Sequence, residues 1–375
     1  MDEKEILSAL ALMRINYFSL SGLSLMYREL GSASLIVEHR NNIRELFPDA
    51  SEKLANGLRG IDAALSRAEA EMDFCSKHGI EPLVMNDSRY PARLRECDDA
   101  PLVLFYRGNA DLNRQRVVSI VGTRHCTAYG REMTDRFVSE LKRLCPKVLI
   151  VSGLAYGVDI NAHRAALNNG YETVGVLAHG LDRIYPARHR DTAVQMIGRG
   201  GLLTEFFTQT NADKVNFVRR NRIVAGMSDA CILVESAAKG GGLITARLAR
   251  DYNRDVFAFP GKVGDEYSVG CNNLIRSNGA ALITSAQDFV DAMVWNTDAE
   301  LGAARQRGIE RQLFPSLSAE ECAVADALQR QNDMQMNMIS VKTDITIARL
   351  TAILFEMELK GVVKPLAGGA YHLLG

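Results

Sequence analysis

The 375-residue chain predicts an α/β protein: a doubly wound, mainly parallel sheet at its centre, a small helical domain before it and a winged helix behind it. Three observations carry this. Short apolar strand-like runs alternate with helical patterns between residues 117 and 283; nearly every run opens into a small or glycine-bearing loop; and a charged stretch then leads to a segment reading as helices and a hairpin.

Residues 1–80 read as short helices. Leu7, Leu10 and Leu12 open an apolar stretch that Leu20-Ser21-Gly22-Leu23 breaks, and Leu23, Met26, Tyr27 and Leu30 mark a second face. Gly31 is placed as a C-cap before Leu35-Ile36-Val37, and a further helical pattern from Leu54 to His78 stops at Gly79. Pro82, Pro91 and Pro101 punctuate what reads as a partly extended connector.

Residues 81–295 form the expected central domain. Its strands are Val117–Val121, Val148–Val151, Thr173–Leu177, Leu202–Thr204, Cys231–Val234 and Val256–Phe259, with a weaker Ala281–Ile283. A strand that is apolar throughout is buried on both faces, as in a parallel sheet. Gly130–Leu144, Asp159–Asn168 and Thr245–Tyr252 supply helices between them. Residues 296–312 read as a linker. Beyond it, Ser318-Ala319-Glu320-Glu321 fits a capping box before Cys322, Val324 and Leu328. A second helix uses Ile347, Leu350, Leu354 and Met357, and Gly368-Gly369 joins two strands into the expected wing, completing a domain at 313–375.

The composition limits the function. No apolar run approaches the ~20 residues that span a bilayer, and the acidic start MDEKEILSALALM lacks a signal peptide's basic opening, so no membrane insertion is expected. Seven scattered cysteines without a CxxC suggest neither a disulfide framework nor a zinc site, and point to the reducing cytoplasm. The net charge of -1 means that any nucleic-acid footprint must be concentrated locally.

Ligands of an open parallel sheet bind at the carboxyl ends of its strands. There the chain places Gly122-Thr123-Arg124, then Ser152-Gly153-Leu154-Ala155-Tyr156-Gly157, then Ala178-His179-Gly180, then Glu235-Ser236-Ala237-Ala238-Lys239-Gly240-Gly241-Gly242. Glycines let backbone amides approach a phosphate, so four such loops on one rim suggest a phosphate-bearing ligand. Neither a G-x-G-x-x-G after the first strand nor a G-x-x-x-x-G-K-[ST] is present, so no dinucleotide or ATP cofactor is expected. Asp159 and His163, four apart on a helix, read as a capping carboxylate and a hydrogen-bonded histidine or as a metal or acid–base pair. Glu235 either acts on a glycosidic bond or only holds backbone amides. Local positive charge comes from Arg183, Arg188 and Arg190 around Tyr185, from Arg219 and Arg222 beside Phe217 and Asn221, and from Arg124 and Lys239 on the rim; Arg220 reads as a solvated surface arginine.

At these loops the chain resembles the DNA-processing protein A (Smf) family. The segments that carry the likeness are SIVGTR at 119–124, SGLAYGVDINAH at 152–163, GLDRIYP at 180–186, NRIVAGMSDACILVESAAKGGGLITA at 221–246, FAFPGKVGDEYSVGCNNLI at 257–275 and NGA at 278–280. The resemblance implies a sterile-alpha-motif-like domain at 1–80, a Rossmann-like DNA-binding domain and a winged-helix tail. It also implies a non-enzymatic single-stranded-DNA-binding protein that dimerises through its Rossmann-like domain, protects DNA in natural transformation and loads the RecA recombinase. The family's arginine after the first strand falls on Arg124; its second basic contact falls near Arg188, with Arg183 or Arg190 as substitutes. Two rival readings remain: a nucleotide-binding enzyme that cleaves an N-glycosidic bond with Glu235, and a nucleotide-sensing module. The second wing-domain helix offers mainly Arg349 and Lys360 against Glu356 and Glu358, which favours a protein contact or accessory role at least as much as duplex reading.

Overall fold

The computed structural model describes residues 2–15, 19–295, 317–366 and 369–374, so the expected linker at 296–312 and Gly368 of the hairpin lie outside the described residues. The chain divides into two compact units, Met1–Asn296 and Thr297–Gly375.

Among the described residues the first unit opens with the α-helices α1 (Glu3–Leu12), α2 (Leu20–Leu30), α3 (Ala33–Glu38), α4 (Glu52–Arg59) and α5 (Asp62–His78). Gly31 (φ 71°) and Gly79 (φ 62°) end α2 and α5 in the left-handed conformation that favours glycine. The expected break at Leu20–Leu23 is displaced: Gly22 lies in the first turn of α2, where its N–H donates to the Ser19 hydroxyl at 2.9 Å, so the capping serine starts the helix instead. Leu35-Ile36-Val37 belongs to α3.

The proline-punctuated connector is structured. It contains β1 (Glu81–Val84), a turn of helix α6 (Ala92–Arg95) and β2 (Val103–Gly108). The remaining strands are β3 (Val117–Val121), β4 (Leu149–Ser152), β5 (Thr173–Val176), β6 (Gly200–Thr204), β7 (Ala230–Leu233), β8 (Asp255–Ala258) and β9 (Ala281–Leu282). Their order is β1-β2-β6-β5-β4-β3-β7-β8-β9. Neighbours from β6 to β9 are parallel, while β2 runs antiparallel to β6 and β1 antiparallel to β2. Between the parallel strands lie α7 (Ala128–Leu144), α8 (Val158–Asn168), α9 (Arg190–Gly198), α10 (Lys214–Gly226), α11 (Gly241–Asp251) and α12 (Val269–Arg276), with α13 (Ala286–Ala292) after β9.

The alternation of inward faces divides the core. One face of the sheet joins Leu104, Val174 and Leu233 to Leu10, Ile36 and Leu58 of the N-terminal helices in one apolar cluster. The opposite face packs Ile120, Ile150 and Ile232 against Phe137 of α7 and Phe289 of α13. Fully burying each such side chain is worth ~1.5–3 kcal/mol. Glu71 of α5 adds a polar tie: it accepts from the Thr208 amide (2.8 Å) and hydroxyl (2.6 Å) and pairs with Arg67 at 2.8 Å.

The second unit holds α14 (Ala319–Arg330), α15 (Met336–Thr343) and α16 (Ile347–Leu359) beside a sheet of β10 (Met334–Gln335), β12 (Ala370–Leu373) and β11 (Val363–Leu366), in that order. Ser318 and Glu321 cap α14 reciprocally, as the Ser-x-x-Glu spacing requires. The sequence pattern missed α15, whose MNMISVKT has little amphipathic period; Ile339 anchors it to Leu328, Leu350 and Leu354.

Candidate nucleic-acid interface

The chain steps from β3 to β6 across one side of the sheet, then returns to place β7 on the other side of β3. Such a reversal opens a crevice above the strand ends, here between the loops after β3 and β7. At their closest approach these loops meet through backbone. The Thr123 N–H donates to the Glu235 carbonyl at 2.7 Å, and Val158 donates to the Thr123 carbonyl at 3.1 Å. A Cβ on Gly122 would sit 2.8 Å from the Glu235 carbonyl oxygen, and one on Gly157 (φ 77°) 2.1 Å from that of Thr123. No side chain fits at either position.

The result is a groove of about 800 Å³. Gly122, Thr123 and Arg124 form one wall with Gly153 and Ala155; Lys239, Gly240, Gly241 and Gly242 lead into α11; Tyr185, Lys214, Phe217, Arg220 and Asn221 close the far side. An exposed Arg124 guanidinium lies 4.4 Å from the Phe217 ring centroid, and Tyr185 stands 6.0 Å from the same ring. Cations and an accessible aromatic pair therefore share one opening with a glycine-lined stretch of bare backbone.

Arg220 corrects the reading of a solvated face. It is 3% exposed and donates to the carbonyls of Gly153 (2.5 Å) and Val176, with its guanidinium 5.8 Å from Phe217. A Cβ on Gly153 would meet that guanidinium at 2.4 Å, which explains the glycine. Burial pushes the Arg220 pKa down to about 10, against the pull of the Asp159 carboxylate. Burial in turn raises Asp159, which Arg220 opposes. His163 lies beneath, its Nδ1 2.7 Å from the Thr173 hydroxyl; burial, Arg220 and His189 together lower it to about 3, so it is neutral. Asp159 and His163 each take a separate structural partner.

Glu235, 2% exposed, accepts from the Thr127 amide (2.9 Å) and hydroxyl (2.6 Å). Its carboxylate thus sits at the positive end of α7 against Gly130, whose Cβ would lie 2.1 Å from Oε2. Of its two sequence readings, holding backbone amides is the one the geometry displays.

The remaining candidates lie off the groove lining. Ser152 is buried and donates to the Ile120 carbonyl at 2.6 Å; Ser236 is buried and donates to the Ala237 carbonyl at 2.9 Å. Gly180 packs where a Cβ would meet the Phe207 carbonyl oxygen at 2.4 Å. Arg183 pairs with Asp182 (3.0 Å) and reaches Asn211 (3.1 Å). Arg188 lies over Tyr156 at 5.3 Å, exposed like Arg190. Arg219 and Arg222 turn to buried Glu205, at 2.8 and 2.6 Å, so the arginines of α10 diverge. Arg222, 3% exposed, is closed to an outside ligand. Sequence reasoning missed Lys214, His125 and Tyr267 of the lining; the only available signal was their place beside loops already singled out. Among the described residues no group of three or more His, Cys, Asp or Glu could hold a metal ion, and no helix is long and apolar enough to cross a membrane.

A family model described as DNA recombination-mediator protein A matches residues 81–294, and one described as the DprA winged helix domain matches residues 310–369. The DNA processing protein DprA of Streptococcus pneumoniae is 41% identical over 205 residues, 54% of this chain and 71% of that protein. The X-ray structure of DprA from S. pneumoniae superposes with a TM-score of 0.65 at 32% identity, covering 78% of this chain and 98% of that one. A Helicobacter pylori DNA processing protein A structure, described by its unique single-stranded DNA binding mode, gives a TM-score of 0.52 at 29% identity, covering 57% of this chain and 95% of that one.

Proposed function

The chain belongs to the DNA recombination-mediator protein A family, and from that premise we propose that its groove binds single-stranded DNA. The protein shields the strand and passes it to the RecA recombinase in the cytoplasm, acting as a homodimer joined through the Rossmann-like domain and breaking no bond itself. The observation that supports this best is the juxtaposition of exposed Arg124, stacked at 4.4 Å on Phe217, with the glycine cradle of Gly122 and Gly240–Gly242. Phosphates enter the cradle, the cations neutralise them, and an unstacked base lies on the ring. None of these contacts reads a base edge, so binding is largely indifferent to sequence and falls steeply with salt. Hydrolysis of an N-glycosidic bond is disfavoured because Glu235 is held by Thr127 at the end of α7.

The test is fluorescence anisotropy of the full chain with labelled single-stranded and duplex DNA of equal length across a salt series. Single strands are expected to bind tighter, and Arg124→Ala to weaken binding about tenfold on every sequence while reducing the salt slope by ~0.7. Equal binding to both forms, or an unaffected Arg124→Ala, refutes the assignment. Light scattering tests the dimer.

A further inference from the structure

A second cavity, of about 670 Å³, lies beside the groove, across the loop that follows β8. Glu266 and Tyr267 line both spaces, so they form the partition between them. On the groove side the His125 ring stacks on Tyr267 at 5.9 Å and 28°. The partition is anchored: the Tyr267 carbonyl accepts the Ser236 N–H at 2.7 Å, and Gly270 donates to the Ser236 carbonyl at 2.8 Å. Across the cavity, the Tyr129 hydroxyl donates to the Pro260 carbonyl at 2.6 Å, which fixes that wall and occupies its donor.

The two spaces differ in chemistry. Groove walls carry four cations, Arg124, Lys214, Arg220 and Lys239, and bare backbone against two carboxylates, Asp159 and Glu266, a balance that suits phosphate. The second cavity has tyrosine rings and Pro260 for walls, the exposed carboxylates of Asp265 and Glu266 and the buried one of Glu235, with Lys262 as its one cation among the lining residues. A phosphate entering there would face carboxylates; a planar base would find rings to stack on and acceptors at its edge. The volume falls within the ~300–1,000 Å³ of ordinary small-ligand sites.

We propose that this cavity receives one nucleobase of the bound strand, turned out of the groove past Tyr267, and that Asp265 and Glu266 favour guanine there. This deepens, and rests on, the single-stranded-DNA reading of the groove. A carboxylate accepts only, so it pairs with the adjacent N1–H and N2–H donors of guanine, whereas thymine turns carbonyl oxygens toward it. The protein thus holds most of the strand without regard to sequence and reads one position.

The test uses the full chain and ten-nucleotide oligothymidine strands with guanine, thymine or an abasic site at one interior position. Guanine is expected to tighten binding about fivefold over thymine, and the abasic strand to bind no better than thymine. In the double variant Asp265→Asn, Glu266→Gln the guanine-to-thymine ratio falls to near one, whatever happens to the overall affinity; both residues are exposed, so folding is retained. Tyr267→Ala lowers the ratio as well. A wild-type ratio of one, or a ratio unchanged in the double variant, overturns the pocket while leaving the groove standing. Failure to bind any single strand removes the groove reading and the pocket with it.

Discussion

The cations of the groove and those of the winged helix differ in what folding leaves them to do. Arg124 reaches the groove with the Phe217 ring against it at 4.4 Å and no carboxylate paired to it among the described residues. On α16 and just beyond it, Arg349 is drawn to Glu320 at 2.6 Å and Lys360 to the capping carboxylate Glu321 at 2.5 Å. The exposed surface of α16 shows Ile347, Phe355 and Leu359 instead. A count of basic residues therefore says little about a nucleic-acid footprint; what matters is which cations lack an internal carboxylate. The same sorting occurs within α10, where Arg220 supports the groove floor while Arg219 and Arg222 turn to Glu205.

The comparison is broken most forcefully by releasing a committed cation. Glu205→Ala leaves Arg222 buried with only Asp99, 4.0 Å away, and is expected to cost about 3 kcal/mol in urea unfolding. An unfolding free energy unchanged within error would mean that the cluster does not hold Arg222. The pH dependence tests the groove floor next. His163 has a folded pKa of about 3 against an ordinary 6.5, so between those values the unfolded chain binds the extra proton. Its contribution is intact above pH 6.5 and declines at roughly 1.4 kcal/mol per pH unit as the pH falls toward 3. Stability curves of His163→Gln should lack that slope relative to wild type; parallel curves would place a proton on the folded histidine.

Binding supplies the smaller effects. Phe217→Leu removes the ring beside Arg124 and is expected to weaken single-strand binding about fivefold to tenfold with little change in salt slope, a stacking loss rather than a charge loss. Arg349→Ala should change DNA affinity less than twofold by the same anisotropy measurement, since its guanidinium already faces Glu320. A tenfold loss there would make the winged helix a DNA contact and erase the contrast.

Local chemistry made much of this readable in the sequence. Val117–Val121 is apolar at every position but Ser119 because both faces of β3 are covered, and Gly122, Gly157 and Gly180 stand where a Cβ would strike a carbonyl. Strands β1 and β2 were hidden by Pro82 and Pro101, which an antiparallel edge accommodates but which read locally as punctuation. Arg220 was unreadable for another reason: its partners, the carbonyls of Gly153 and Val176, are brought to it only by the assembled sheet. Arg124 needed no such partner, so its sequence neighbourhood was enough to single it out. Tyr267 sits in a loop whose place beside the groove depends on the pairing of β7 with β8.

The antiparallel strand β2 also orders events on the ribosome. It pairs at once with β1, a short distance upstream, but its other neighbour is β6, with Phe105 set opposite Thr204 about a hundred residues later. At roughly 5–20 residues per second, the nascent chain carries a hairpin with one bare edge for about 5–20 s before that partner is made. A chain stalled between β2 and β6 would expose this edge to its neighbours, so translation speed across residues 109–199 bears on how much protein reaches the native state.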